Sequence, residues 1–266
     1  MRHFIARALR GVARRIEPSG PDLQAFLDAK QQELGDVRPL DLGAIIQTCC
    51  TLIPEFSFLQ IGAHDGSSND PLMRSLGALN LHGILVEPQA AQFAALQARY
   101  GGNSKLKLER AAIAAADGTM PLYKVDPAFW AHHGLLEGIA SQISSLDRNQ
   151  IRRHVELFCG ARIAADEAAY LTMETVNTVT LGTLMKRHGL ERIDLLQIDA
   201  EGFDYEIIKM IDWSEPPRMI HFETIHLAEP DRISAWSLLR ERDYDLYATD
   251  THNTLAVAAP RTAAQI

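Results

Sequence analysis

The sequence predicts an α/β fold: a mostly parallel sheet with an antiparallel last strand, preceded by an N-terminal helical segment over residues 1–55 and interrupted by a helical lid insertion at about 126–174. Three observations predict it. Short apolar runs at 56–61, 83–86, 106–113, 193–198 and 219–222 are bounded by turn residues, as strands buried on both faces of a parallel sheet are. Helix-period stretches alternate with these runs, which is the signature of βαβ units. The last two runs, 244–249 and 254–258, flank Asp250-Thr251-His252-Asn253, a connection of hairpin length that makes the final pair antiparallel.

Length and composition bound the rest. A chain of 266 residues is one large domain, or a domain with an appendage. With 47% hydrophobic and 23% charged residues it falls in the ordinary globular range. No apolar run approaches the roughly 18 residues of a membrane span. Cys49 and Cys50 are adjacent and Cys159 is distant, so they build neither a disulfide framework nor a zinc cluster and read as packing residues in a reducing, cytoplasmic setting. A net charge of −8 disfavours nucleic acid, which needs clustered Lys and Arg.

In chain order, the first sixteen residues carry Arg2, Arg7, Arg10, Arg14 and Arg15 with apolar residues at helical spacing, a basic amphipathic helix. The arginines interrupt any apolar signal-peptide core. The plainer reading packs its apolar stripe on the protein, and the alternative is a weak peripheral contact with a membrane surface. Pro18-Ser19-Gly20-Pro21 makes a hinge, followed by helices at 22–34, closed by Gly35, and 41–53, stopped by Pro54. After the first strand, Asp70 caps and Pro71 opens a helix, 88–100 gives the next, and 181–188 ends at Gly189. Between 126 and 174 the alternation is suspended. Trp130, His132 and His133 there either line an acceptor site or pack the insertion, and a helix occupies 147–158. An insertion of this length usually carries function.

The first strand runs into Gln60-Ile61-Gly62-Ala63-His64-Asp65-Gly66-Ser67-Ser68-Asn69-Asp70-Pro71. In an open parallel sheet, a glycine loop between strand and helix is where ligands bind. The G-x-G-x-x-G spacing of a pyrophosphate site is missing, which argues against a nicotinamide-dependent oxidoreductase. Asp65 would repel a pyrophosphate and suits a ligand carrying an ammonium or sulfonium. Glu87 ends the second strand roughly 20 residues further on, where an acid accepts the hydroxyls of a ribose. Either feature alone is weak, but on successive strands of one βαβ unit they point to a nucleoside ligand.

The strings FLQIGAHDGSSNDPL (58–72), GILVEPQ (83–89), ERAAIAAADGTMPLY (109–123), TVTLGTLM (178–185) and IDLLQIDAEGFDYEII (193–208) resemble the FkbM family of S-adenosylmethionine-dependent methyltransferases. The resemblance spans about 56–227 and is most specific at Ile198-Asp199-Ala200-Glu201-Gly202. It implies a seven-stranded class I methyltransferase fold and O-methylation of a small molecule, sugar or glycan, with S-adenosylmethionine as cofactor and no metal expected. It further implies that Gly62, Asp65 and Gly66 line the methionine end of the cofactor and Glu87 its ribose. Ala112, with Ile113, falls near the adenine, and Asp199 faces the methionine moiety or the acceptor. Residues around Ala140, Ser141 and Ser144 resemble a small-residue stretch beside the cofactor. Gln197 stands where the family often has Lys, and His64 where Asn is common. A cofactor-binding but inactive scaffold is the rival within this resemblance.

Methyl transfer to oxygen needs a base near the donor. Parallel strands deliver their carboxyl ends to one edge, and there the sequence places Asp199 and Glu201 after one strand, Glu223 and His226 after the next. Asp199, Glu201 and His226 are the catalytic candidates. Like charges this close raise at least one carboxyl pKa, and the same groups offer oxygen and nitrogen ligands to a divalent ion. His221, two residues before Glu223 in a buried strand, reads as a satisfied core histidine.

Overall fold

The computed structural model describes residues 40–53, 55–67, 70–76, 79, 81–133 and 143–259. The expected basic helix, hinge and second helix before residue 40, with Ala140 and Ser141, lie outside the described residues. The first half of the chain runs α1 (Leu42–Leu52), β1 (Ser57–Ile61), α2 (Pro71–Leu76), β2 (His82–Val86), α3 (Ala90–Tyr100), β3 (Leu106–Glu109), β4 (Ala112–Ile113) and β5 (Gly118–Val125). It continues α4 (Pro127–His132), β6 (Ser144–Ser145), α5 (Arg148–Cys159), α6 (Ala161–Ala164), β7 (Leu171–Val179) and α7 (Leu181–His188). The last elements are β8 (Leu195–Ile198), α8 (Asp204–Lys209), β9 (Met219–Glu223), α9 (Glu229–Glu241), β10 (Tyr244–Ala248) and β11 (Asn253–Ala258). No described helix is long and apolar enough to cross a membrane.

The main sheet has seven strands in the order β10-β11-β9-β8-β1-β2-β3. Strands β3, β2, β1, β8 and β9 are parallel, and the last strand, β11, runs antiparallel to both β9 and β10. From β1 the chain steps outward through β2 to β3 and later returns to β8 on the other side of β1. The strand order therefore reverses between β1 and β8, where open α/β sheets bind ligands.

Local chemistry explains the helices. Asp41 caps α1 by accepting from the Ala44 amide at 3.1 Å. Asp70 accepts from the Leu72 amide at 2.7 Å ahead of α2, and Gly189 closes α7 at φ +66°. Alternate strand residues divide between two apolar layers. Phe58, Leu85, Leu195 and Met219 pack with Ile46, Leu72 and Leu96 of α1, α2 and α3. Leu59, Ile84, Leu196 and Ile220 pack with Leu184, Ile207, Trp236 and Leu239 of α7, α8 and α9. At the strand feet, buried Asp194 accepts from the Ser57 amide and hydroxyl at 2.9 and 3.0 Å, tying β1 to β8.

Two sequence expectations change. The run 106–113 is two strands: β3 ends at Glu109, which holds His188 of α7 at 2.8 Å, and Ala112–Ile113 pairs with β7 in a second sheet of order β4-β7-β5-β6. The region expected as a helical insertion also carries strand: β5 and β7 pair antiparallel from Gly118↔Thr178 to Val125↔Leu171. Thr172 and Met173 are exposed, so the front of β7 lacks the apolar alternation that reveals a strand. Trp130 packs the inside of this segment with Ile143, Ile151, Val155 and Tyr170, its ring edge-on to Phe158 at 5.9 Å. That settles its two readings in favour of packing, while His132 and His133 are exposed.

Candidate active site

The carboxyl ends of β1, β2 and β8, with the chain around β4, surround a cleft of about 800 Å³. Gly62, Glu87, Ala112, Asp199 and Glu201 all line it. The loop after β1 crosses the backbone of Asp199 so closely that a Cβ on Gly62, at φ +79°, would lie 1.8 Å from the Asp199 carbonyl oxygen. Only glycine fits there. The Asp199 amide in turn donates to Ile61 O at 3.0 Å, so this crossing joins the two strands flanking the switch point.

Glu87 is buried, its Oε2 accepting from the His64 amide at 2.9 Å and its Oε1 from the Gln89 amide at 2.8 Å. Burial pushes its carboxyl up to about 7, against the pull of those two amides. The Gln89 side chain adds a third hydrogen bond, and the carboxyl keeps acceptor capacity for a ligand hydroxyl. Ala111, Ala112, Ile113, Leu122 and Phe203 supply the apolar walls, and Ser144 also faces the cleft.

Asp65 and Gly66 stand outside the set that lines this cleft. Asp65 accepts from the Ser67 amide and hydroxyl at 2.8 and 2.6 Å, which holds the turn. Gly66, at φ +71°, lets the loop pack on α3: a Cβ would meet Tyr100 Cε2 at 2.6 Å and Leu96 Cδ1 at 2.8 Å. For both residues, the geometry supplies a role within the loop.

Beyond Asp199 the chain turns through Glu201 at φ +49° and Gly202 at φ +89°. Gln150 of α5 clamps this turn by donating to Gly202 O at 2.7 Å, filling the space a Gly202 Cβ would need. One helical turn on, His154 comes within 3.5 Å of Glu201 Oε2 through Nε2 and within 3.0 Å of His226 Nδ1. His226 Nε2 is 3.6 Å from both Glu201 Oε2 and Glu223 Oε2. Those carboxyl–imidazole separations exceed a hydrogen bond. Burial, followed by the charges of Asp199 and Asp204, holds the Glu201 carboxyl well above its ordinary value. Burial also pushes Glu223 up to about 10, with Asp199 the next cause, and His226 down to about 4, with His154 the next cause.

Glu201, Glu223 and His226 therefore meet as their strand positions predict, with Asp199 beside them and exposed in the cleft. Two partners escaped the sequence reading. His154 comes from α5, and no spacing links it to the strand ends. Asp204, fully buried, accepts from the Gly202 and Glu223 amides at 3.2 and 3.3 Å, where burial pushes its carboxyl up to about 7. An acid at the first position of α8 reads in sequence as an ordinary helix-start residue.

His221 is buried in β9, with Nε2 3.0 Å from Thr249 Oγ1. Gln60, Gln197 and His221 form an aligned polar row across β1, β8 and β9. Asp70 accepts from both Gln60 Nε2, at 2.8 Å, and Gln197 Nε2. A second opening of about 1280 Å³ lies over this row, lined by Asp70, Gln197, His221, Glu223 and Asp250 among others. Asp199 lines both it and the first cleft.

This sheet order, with a cleft at the carboxyl edge beside β1, is that of the class I methyltransferases. The family model described as the methyltransferase FkbM domain matches residues 60–246, and the chain belongs to that family. No curated protein matches the sequence. Among solved structures, the fibrillarin/Nop5p complex is similar at TM-score 0.36 and 13% identity, over 78% of this chain and 73% of that one. The Podospora anserina methyltransferase PaMTH1, solved with S-adenosylhomocysteine bound, is similar at TM-score 0.34 and 12% identity, over 97% of this chain and 95% of that one. At these scores neither adds to the assignment.

Proposed function

We propose that the chain transfers a methyl group from S-adenosylmethionine to a hydroxyl oxygen of a small molecule, sugar or glycan. The observation that carries this reading is the position of Asp199, a carboxylate on the wall shared by the nucleoside-type cleft and the second, polar opening. The cofactor, when bound, supplies an electrophilic methyl on a sulfonium.

The chain's own groups do the rest. Glu87 holds the ribose hydroxyls, and Ala112, Ile113 and Leu122 give the base an apolar slot. The acidic strand edge favours the positive end of the cofactor. Asp199 takes the proton of the acceptor hydroxyl as the oxygen attacks, and the cleft walls hold the two reactants in register. In the second opening Asp70, Asp199 and Asp250 present acceptors beside Arg74, Thr249 and Asn253, and Gln197 Oε1 is buried with no partner among the described residues. Such a mixed polar surface suits a ligand rich in hydroxyls, which both donate and accept, and so favours a sugar or polyol.

Calorimetry with S-adenosylmethionine, S-adenosylhomocysteine and NAD tests the cofactor: micromolar binding of the first two and none of NAD is expected. Transfer of labelled methyl into glycans or sugars tests the reaction. Cofactor binding without label in any acceptor would favour the inactive-scaffold alternative.

A further inference from the structure

We propose that His154, Glu201 and His226, with Glu223 beside them, form a binding site for one divalent first-row transition-metal ion, of the Mn²⁺ to Zn²⁺ kind. The donors come from α5, the turn after β8 and the segment after β9, and one ligand atom from each of His154, Glu201 and His226 lies within 4.8 Å of the others. His154 Nε2 lies 3.5 Å from Glu201 Oε2, and His226 approaches with two different atoms, Nδ1 at 3.0 Å from His154 Nε2 and Nε2 at 3.6 Å from Glu201 Oε2. Ligand atoms held about 2.1 Å from a central ion are themselves about 3.0–3.4 Å apart. With a single nitrogen taken from His226, the three ligand atoms lie within 4.8 Å of one another, so an ion would draw the side chains inward to close its shell.

Hydrogen-bond accounting points the same way. His154 Nδ1 lies 3.0 Å from Gln150 O. A carbonyl only accepts, so Nδ1 carries the proton and Nε2 turns a lone pair toward the cluster. If His226 Nδ1 then donates to that lone pair, His226 Nε2 turns its own lone pair to Glu201 and Glu223. The Oε2 atoms of both acids are buried without a hydrogen-bond partner among the described residues. These unpartnered atoms converge on one point, where a shared cation would meet several at once.

The surroundings fit a ligand site as well. An imidazole fixed through its other ring nitrogen by a backbone carbonyl is the usual arrangement for a metal-binding histidine. Gln150 does this for His154 and, through its side chain, holds the turn that carries Glu201. Two imidazoles with carboxylates suit transition ions, whereas Mg²⁺ and Ca²⁺ take oxygen shells. Because Glu201 also lines the cleft, a bound ion would adjoin the place where an acceptor oxygen arrives. That orienting role rests on the methyl-transfer reading; binding of the ion does not.

The test uses the full chain, stripped with a chelator and titrated with Mn²⁺, Co²⁺, Zn²⁺ and Mg²⁺ alone. The expected result is uptake of one equivalent of a transition ion, no comparable uptake of Mg²⁺, and a visible Co²⁺ spectrum of imidazole coordination. His154→Gln and His226→Gln should each weaken binding at least 10-fold. S-adenosylhomocysteine titrated into the same variants reports whether the cleft is still folded. A parent protein that takes up no stoichiometric ion and shows no Co²⁺ band overturns the proposal without any variant. Undiminished uptake in both folded variants overturns it too. Failure of cofactor binding with metal binding intact would instead sink the methyl-transfer reading alone.

Discussion

On the β1–β2 wall of the cleft the buried acid is met: each oxygen of Glu87 holds a backbone amide. On the β8–β9 wall Glu201 and Glu223 each bury an oxygen with no partner among the described residues, and their imidazole neighbours lie 3.5–3.6 Å away. Buried polar groups are costly unless paired. The first wall therefore has its acid paired within the fold, and the second leaves buried oxygens unpaired among the described residues. Perturbed pKa values cluster at functional sites for the same reason.

The largest effect that separates the walls should be kinetic. Asp199→Asn keeps the shape and removes the charge, so turnover should fall about 10²–10⁴-fold with cofactor affinity nearly unchanged. Labelled-methyl turnover set beside calorimetry decides it, and full turnover in the variant removes Asp199 as the base. On the opposite wall, Glu87→Ala should weaken S-adenosylmethionine by about 1.5–3 kcal/mol, the range for hydrogen bonds to a charged group. Unchanged affinity would show that the ribose sits elsewhere.

Gly66→Ala sharpens the contrast within one loop. It should lower stability by about 1–3 kcal/mol through overpacking against Tyr100 and Leu96, measured by urea unfolding, and leave cofactor affinity alone once the protein is folded. A selective loss of affinity would return Gly66 to the binding surface.

The smallest effect is pH dependence. With its carboxyl pushed up to about 7 in the open cleft, Glu87 is protonated below that pH and accepts hydroxyls poorly, so cofactor affinity should rise several-fold from pH 6 to 8. Glu87→Gln should flatten the rise. The sign for folding is opposite: a raised carboxyl pKa makes this group's contribution to stability fall as pH climbs from about 4.5 toward about 7.

The amino-acid sequence by itself determined the sheet and marked Gly62 and Glu87, which line one wall of the candidate cleft. Phe58, Gln60, Leu85 and Leu195 against Leu59, Ile84 and Leu196 obey a period of two whatever surrounds them, and Asp41, Asp70 and Gly189 mark helix ends through bonds to their own neighbours. Gly62 and Glu87 could be read because one βαβ unit carries both. Tertiary structure alone decided that Gly66 packs against Tyr100 and Leu96, that Trp130 is core, and that the stretch at 171–179, largely exposed in its front half, is a strand paired with β5. It also brought His154 to Glu201 and His226, a contact 72 residues apart in sequence for the two histidines. No local period encodes such a meeting: it exists because α5 docks through Gln150 on a turn at the far side of the switch point, and docking is a property of surfaces that the sequence spells only once the chain has folded.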